Sequence, residues 1–290
     1  MKLAFLRLHL AVLLAGFTGI LGRLITLNEG LLVWYRLMFS AITLWLLFGL
    51  QGRVQKIPIR TIAAITGVGF LAAIHWVAFY GSIKYANISV ALVCFSAIGF
   101  FTAIVEPLLL RKKPVLPEIL LGLLMVLGIY IIFHFDAHFK TGIIIGMFST
   151  LLAAIFPVLN KQLLEKVQVD TLITYELSGG FLTLTILLPF YLDRFPPHHF
   201  WPTLTDFGWL LFLAWFCTVW AFQLSSYALK KISAFTVNLA YNLEPVYGIL
   251  LAFVVYKENK LLGWNFYVGL SIIVLAVFLQ MWRIYRTRIR

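Results

Sequence analysis

The sequence predicts an all-α polytopic membrane protein, with ten transmembrane helices arranged as two inverted five-helix repeats. The first observation is composition. The 290 residues are 62% hydrophobic and only 12% charged, where a soluble chain of this length carries roughly 25% charged residues. The second is segmentation. Ten apolar segments fall at 5–25, 30–50, 61–83, 88–110, 117–134, 142–160, 171–192, 207–229, 233–255 and 263–282. Each approaches the ~20 residues that cross ~30 Å of hydrocarbon. The third is charge distribution. With the N-terminus in the cytoplasm, sixteen Lys and Arg fall on the inner side and six on the outer, with Arg36 left inside the second segment. That bias places both termini in the cytoplasm.

The elements follow in order. Segment one has a basic start and an apolar core, but no small-residue cleavage pattern precedes Arg23, so it reads as a retained helix and not a signal peptide. Turn signals separate the others: Leu27-Asn-Glu-Gly30, Gln51-Gly52, Arg111-Lys-Lys-Pro114, Phe135-Asp136, and the Pro-rich outer loop from Asp193 to Pro202. Gly142-Ile-Ile-Ile-Gly146 opens segment six with a GxxxG pattern that permits close packing within the chain, dimerisation being the alternative. Cys94 and Cys217 lie in apolar runs, form no CxxC pair and read as buried thiols. The net charge of +12 gathers at the inner ends of helices and in the basic tail from Arg283 to Arg290. Anionic lipid is the partner that distribution suits, not nucleic acid.

The halves resemble each other. Tyr80-Gly-Ser-Ile-Lys-Tyr-Ala-Asn-Ile-Ser-Val-Ala-Leu92 aligns with Tyr227-Ala-Leu-Lys-Lys-Ile-Ser-Ala-Phe-Thr-Val-Asn-Leu239, and the same offset sets Gly122 against Gly269. Trp34-Tyr35-Arg36 similarly faces Thr174-Tyr175-Glu176. Five helices per half invert the second half in the bilayer, the plan in which a substrate site lies near the midplane between repeats. The repeats are expected at 1–140 and 141–290.

These features resemble the EamA family of the drug/metabolite transporter superfamily. The likeness is carried by the two five-helix halves, by the arginine within Trp34-Tyr-Arg36, and by the short link from Tyr80 to Ala91. The proline of the ninth helix fits too, as does Leu261-Leu-Gly-Trp-Asn-Phe-Tyr-Val-Gly269 opening the tenth. It covers almost the whole chain. One departure is Phe95-Ser-Ala-Ile-Gly-Phe100, which lacks the proline often found there in the family. The resemblance implies a carrier of small metabolites, often outward, in a bacterial inner (plasma) membrane. Amino acids, nucleosides, amines and sugars all lie within the family's range.

The candidate site begins with Glu244, followed directly by Pro245 inside an apolar run. A carboxylate at membrane depth costs at least ~2.5–3.5 kcal/mol on insertion scales. The proline removes a donor to the carbonyl one turn back, that of Tyr241, and so marks a helix break. Both features suit a helix lining a polar cavity; a buried structural ion pair is the alternative. Tyr241 shares the face of Glu244, with Asn238 and Asn242 flanking it. Arg36 is the countercharge or a snorkelling anchor. Glu176, at the repeat-equivalent position, either belongs to the pathway or pairs with inner lysines. Glu106 reads as interfacial. His75 and Trp76, with Tyr80 a turn on, offer a proton relay or a satisfied core histidine. Gln223 shares a face with Trp220 and Tyr227 and is expected to turn toward protein. Ser96 and Ser89 line an inward face or pack helices. His198 and His199 are adjacent and lack metal-site spacing.

The reading is a secondary transporter working by alternating access, with helices three, four, eight and nine around the lumen and one, two and six contributing. Substrate or coupling-ion contacts are expected from Glu244, Arg36, His75, Trp76, Tyr80, Gln223, Asn238, Tyr241, Asn242 and Ser96. The two charges suit a zwitterion such as an amino acid. Partners are a small-molecule substrate and the bilayer, with no nucleic acid, cofactor or metal. Proton coupling, and monomer against homodimer, stay open. The rival class is a membrane-embedded lipid-modifying enzyme, whose chemistry usually needs clustered acids or a histidine–acid pair; no DxxD, HxxxxD or HExxH motif occurs here.

Overall fold

The computed structural model describes residues 2–133, 139–260 and 262–289. Among them run ten helical rods: α1 (Leu3–Leu24), α2 (Glu29–Gly49), α3 (Ile59–Tyr85), α4 (Ile88–Leu110), α5 (Leu116–Phe133), α6 (Lys140–Leu163), α7 (Val169–Arg194), α8 (Leu204–Leu229), α9 (Thr236–Tyr256) and α10 (Trp264–Ile289). Eight are long and apolar enough to cross a membrane; α5 and α10 carry shorter apolar stretches. The chain is thus an all-α polytopic membrane protein built from two five-helix repeats. The turn read at 135–136, Leu261 and the side chains of the basic tail beyond Arg283 lie outside the described residues.

Local chemistry sets the helix starts. Asn28 accepts from the Gly30 N–H (2.8 Å) to start α2, and Asn87 accepts from the Val90 N–H (2.8 Å) to start α4. Thr203 and Asp206 form a reciprocal capping box on α8. The ends of α4 and α9 match: Arg111 (φ 51°) and Lys257 (φ 54°) close them in the left-handed conformation.

Small residues bring the rods together. A Cβ at Gly69 would collide with the Glu176 carbonyl, and one at Gly180 would sit 2.7 Å from the Gly69 carbonyl, so α3 and α7 touch backbone to backbone. Both glycines of the GxxxG pattern face inward: Gly142 against Ala86 and Gly146 against Ser82 and Cys94. That motif therefore packs α6 onto α3 and α4 within the chain.

α1 is interrupted at Phe17, and two further rods are broken at matching places. α4 divides into Ile88–Phe95 and Ile98–Leu110, and α9 into Ala234–Tyr241 and Leu243–Tyr256. The halves pack crosswise: the first part of each lies on the second part of the other. Asn238 on α9 donates to Thr102 Oγ1 on α4 (2.9 Å), and Leu92 on α4 presses on Gly248 of α9. The break in α4 arises without a proline. α8 also carries a π-helical stretch at Trp215–Trp220.

The two ends of the bundle are held differently. At the end away from the termini, Arg23 Nη1 donates to Glu258 (2.7 Å), and Glu258 accepts from the Ser89 N–H (3.0 Å) and hydroxyl (2.6 Å) at the start of α4. Thr26 donates through its N–H and its hydroxyl to Asp206 (2.8 Å each). At the other end, Arg53 pairs with Asp170, which also accepts from Gln223 (3.3 Å) and Tyr227 (3.1 Å).

Candidate functional site

The α4–α9 crossing forms one wall of a cavity of about 90 Å³. The rest comes from α1, α2, α3, α6 and α8. The wall begins near Thr18 and Arg36 and runs toward Asn160, Leu229 and Val237, close to the end that carries the termini.

Glu244 is buried in the second residue of the helix that follows the α9 break. Pro245 therefore occupies a first turn, where a missing N–H is tolerated; the break itself falls at Asn242. Glu244 makes no hydrogen bond or ion pair with any described residue, and it faces the cavity. A carboxylate so placed has only the cavity to satisfy it.

Arg36, 3% exposed, lies in the same cavity wall. Its Nε donates to Thr218 Oγ1 (2.7 Å), Nη1 to the Tyr80 hydroxyl (2.9 Å) and Nη2 to the Cys217 carbonyl (3.4 Å). The guanidinium carbon stands 3.9 Å from the centre of the Trp76 ring. The π-helical stretch of α8 presents both Thr218 and the Cys217 carbonyl, so this backbone irregularity positions the cation. Of five N–H donors three are engaged, and two remain. Arg36 and Glu244 form no ion pair; they share the cavity without touching.

The other candidates divide. His75, Trp76, Asn238 and Tyr241 lie in the wall. His75 Nδ1 is bonded to the Ser149 carbonyl (2.9 Å) and hydroxyl (2.8 Å) on α6, leaving Nε2 with no protein partner. Tyr80 stands behind the wall, fully buried, and orients Arg36. Ser96 is also behind it: its hydroxyl donates to the Leu92 carbonyl one turn back (3.2 Å). Asn242 is buried at the crossing beside Gly99, with neither amide atom bonded.

Gln223 turns toward protein as expected, but not into the cavity. It turns to Asp170 and borders a surface groove beside Trp215 and Trp220, outside the cavity. The π-helical stretch upstream shifts the register of α8, so Phe222, Ser225, Ser226 and Leu229 take the inward face instead. Glu176 is corrected: its partner is Asn160, not a lysine. Trp34 donates to Thr185 on α7 at 2.8 Å, away from the cavity. Asn160, Phe156 and Glu258 were missed. A lone Asn three residues after Pro157, and an acid just past the end of α9, were the available signals.

The sequence profile of the EamA-like transporter family matches residues 2–134 and again 140–282. The chain belongs to the EamA-like transporter family. It is also 26% identical to an uncharacterized transporter, YetK, of Bacillus subtilis (strain 168), across 95% of this chain and 86% of the relative. A solved crystal structure superposes over 98% of both chains with a TM-score of 0.71 at 15% identity, a likeness of fold. The cavity is thus found in a membrane transporter.

Proposed function

We propose that this EamA-like transporter carries small zwitterionic metabolites, amino acids among them, outward across a bacterial inner membrane by alternating access between repeats at 1–140 and 141–290. Glu244 receives the substrate amine and the two free N–H groups of Arg36 receive its carboxylate. The observation that carries this is the pair itself: opposite charges in one buried cavity, each with unused bonding capacity, and no ion pair between them. A structural salt bridge would have closed that gap. A zwitterion supplies a partner for each, which offsets the cost of holding both charges away from water. Trp76, Phe79 and Phe222 give the cavity the apolar walls a side chain needs.

The outward direction is supported by the placement of the cavity. The cavity reaches toward the end that the positive-inside bias assigns to the cytoplasm, the loading side of an exporter. The Arg23–Glu258–Ser89 latch closes the opposite end.

The test uses purified protein in liposomes and exchange of radiolabelled neutral amino acids. Glu244→Gln is expected to abolish binding and exchange together, because an amide leaves the ammonium without its counter-ion. Truncating one partner of a buried charge pair typically costs about 2–5 kcal/mol, roughly thirtyfold to several-thousandfold in affinity. Wild-type exchange rates in the Gln variant, with only its thermal stability changed, would return Glu244 to a structural role.

A further inference from the structure

A second buried carboxylate lies just outside the cavity. Glu176 on α7 is 0% exposed. Asn160 on α6 donates its Nδ2 to both carboxyl oxygens, at 2.9 and 3.0 Å. No other hydrogen bond or ion pair reaches that carboxyl group among the described residues. Charged and titratable groups on the surrounding elements include Arg36 on α2, His75 and Tyr80 on α3, Lys161 on α6, Cys217 and Tyr227 on α8, and Tyr241 and Glu244 on α9, and none of them bonds it. Asn160 belongs to the cavity wall, yet its Oδ1 is buried with no donor. The arrangement leaves a charge without a cation and a carbonyl without a donor, side by side. Each is costly in a buried site.

One proton resolves both. Protonation forms an O–H bond on Glu176, the proton being delivered by hydronium from the bath on the acid side, which leaves a neutral water behind. The new O–H needs an acceptor, and Asn160 Oδ1 needs a donor. A rotation of the Asn160 amide joins them while Nδ2 keeps the other carboxyl oxygen, giving a two-bond acid–amide ring. The carboxyl side has little freedom to move, because α7 touches the α3 backbone at Gly69 directly beneath Glu176. The amide is the part that turns, and it is part of the cavity wall. Charge on Glu176 and the shape of the cavity are therefore linked.

We propose that Glu176, reached from the cavity through Asn160, is the proton-coupling carboxylate of this transporter, separate from Glu244, which meets the substrate. The proposal rests on reading the cavity as the transport site. Infrared difference spectra of the full chain in liposomes, taken between acid and alkaline bath with no substrate, read protonated carboxyl groups directly. Glu176→Gln is expected to delete a titrating carboxyl band that Glu244→Gln retains, and Asn160→Leu to shift that band. Transport of radiolabelled neutral amino acids supplies the second arm. Accumulation driven by a pH gradient is expected to vanish in Glu176→Gln while exchange, which moves no net proton, persists; Glu244→Gln loses both. An unchanged carboxyl titration in Glu176→Gln, or wild-type accumulation, overturns the proposal. If that variant does not fold, a titration unaltered in Asn160→Leu overturns it equally. A wild type that moves no neutral amino acid refutes the zwitterion reading, while the infrared arm still decides the proton site.

Discussion

The two helices broken at matching places, α4 and α9, share a backbone plan and differ in chemistry. Both are interrupted near the middle, both end in a left-handed residue, and each packs its first part on the other's second part. The α4 break is satisfied from within: the Ser96 hydroxyl and N–H both return to the Leu92 carbonyl. The α9 break is not. Asn242 holds an unbonded amide there, and two residues later Glu244 faces the cavity alone. The repeat supplies two equivalent hinges, but only one carries unspent polar groups. Matching backbone geometry is thus paired with unequal chemistry at the two breaks.

The largest expected effect that sharpens this contrast lies across the cavity from the α9 break. Arg36→Lys keeps the charge and loses the fork. A lysine has three donors on one nitrogen and cannot hold Thr218, Tyr80 and Cys217 while offering two further N–H groups to a substrate. Exchange is expected to fall by at least tenfold, about 1.4 kcal/mol, with insertion and expression preserved. An anchoring arginine would be replaced by lysine without loss, so full exchange in that variant would remove Arg36 from recognition.

A smaller effect, with an informative sign, is expected at Asn242. Its amide is buried with no partner, and an apolar group of similar shape removes that penalty. Asn242→Leu is expected to raise stability by about 1–3 kcal/mol and to lower the transport rate per folded molecule. Thermal unfolding and exchange measured on one preparation check both. Loss of stability would mean that the amide bonds something in the resting protein and is not held in reserve.

The sequence made most of the fold legible because bilayer thickness imposes a length on every helix and charge counting orients it. Helix limits differ from the apolar segments by a few residues. The site was legible where chemistry is rare at membrane depth: Glu244, Arg36 and His75 are conspicuous in apolar runs, and all three reach the cavity. It was illegible where local backbone changes register. Trp220, Gln223 and Tyr227 share a face on an ideal helix, but the π-helical stretch at Trp215–Trp220 precedes them and turns Gln223 toward Asp170. No residue in that stretch announces an inserted register shift. Partners that meet only in three dimensions were equally hidden. Asn160 and Glu176 lie on different helices, and Glu258 reaches the start of α4 from the α9–α10 connection. The break in α4 lacked the proline that flags the one in α9.

The smallest effect is expected at Ser96, and it tests the comparison most directly. If the α4 break is a hinge without recognition chemistry, its hydroxyl contributes one local hydrogen bond and nothing to the substrate. The Leu92 carbonyl keeps the Ser96 N–H as a donor when the hydroxyl is removed, so no buried acceptor is orphaned. Ser96→Ala is then expected to cost about 0.5–1.5 kcal/mol of stability and to leave exchange per folded molecule unchanged. The same stability loss with a large fall in substrate affinity would place Ser96 among the substrate contacts. Recognition would then be shared between the two breaks, and the division of labour between α4 and α9 would fail.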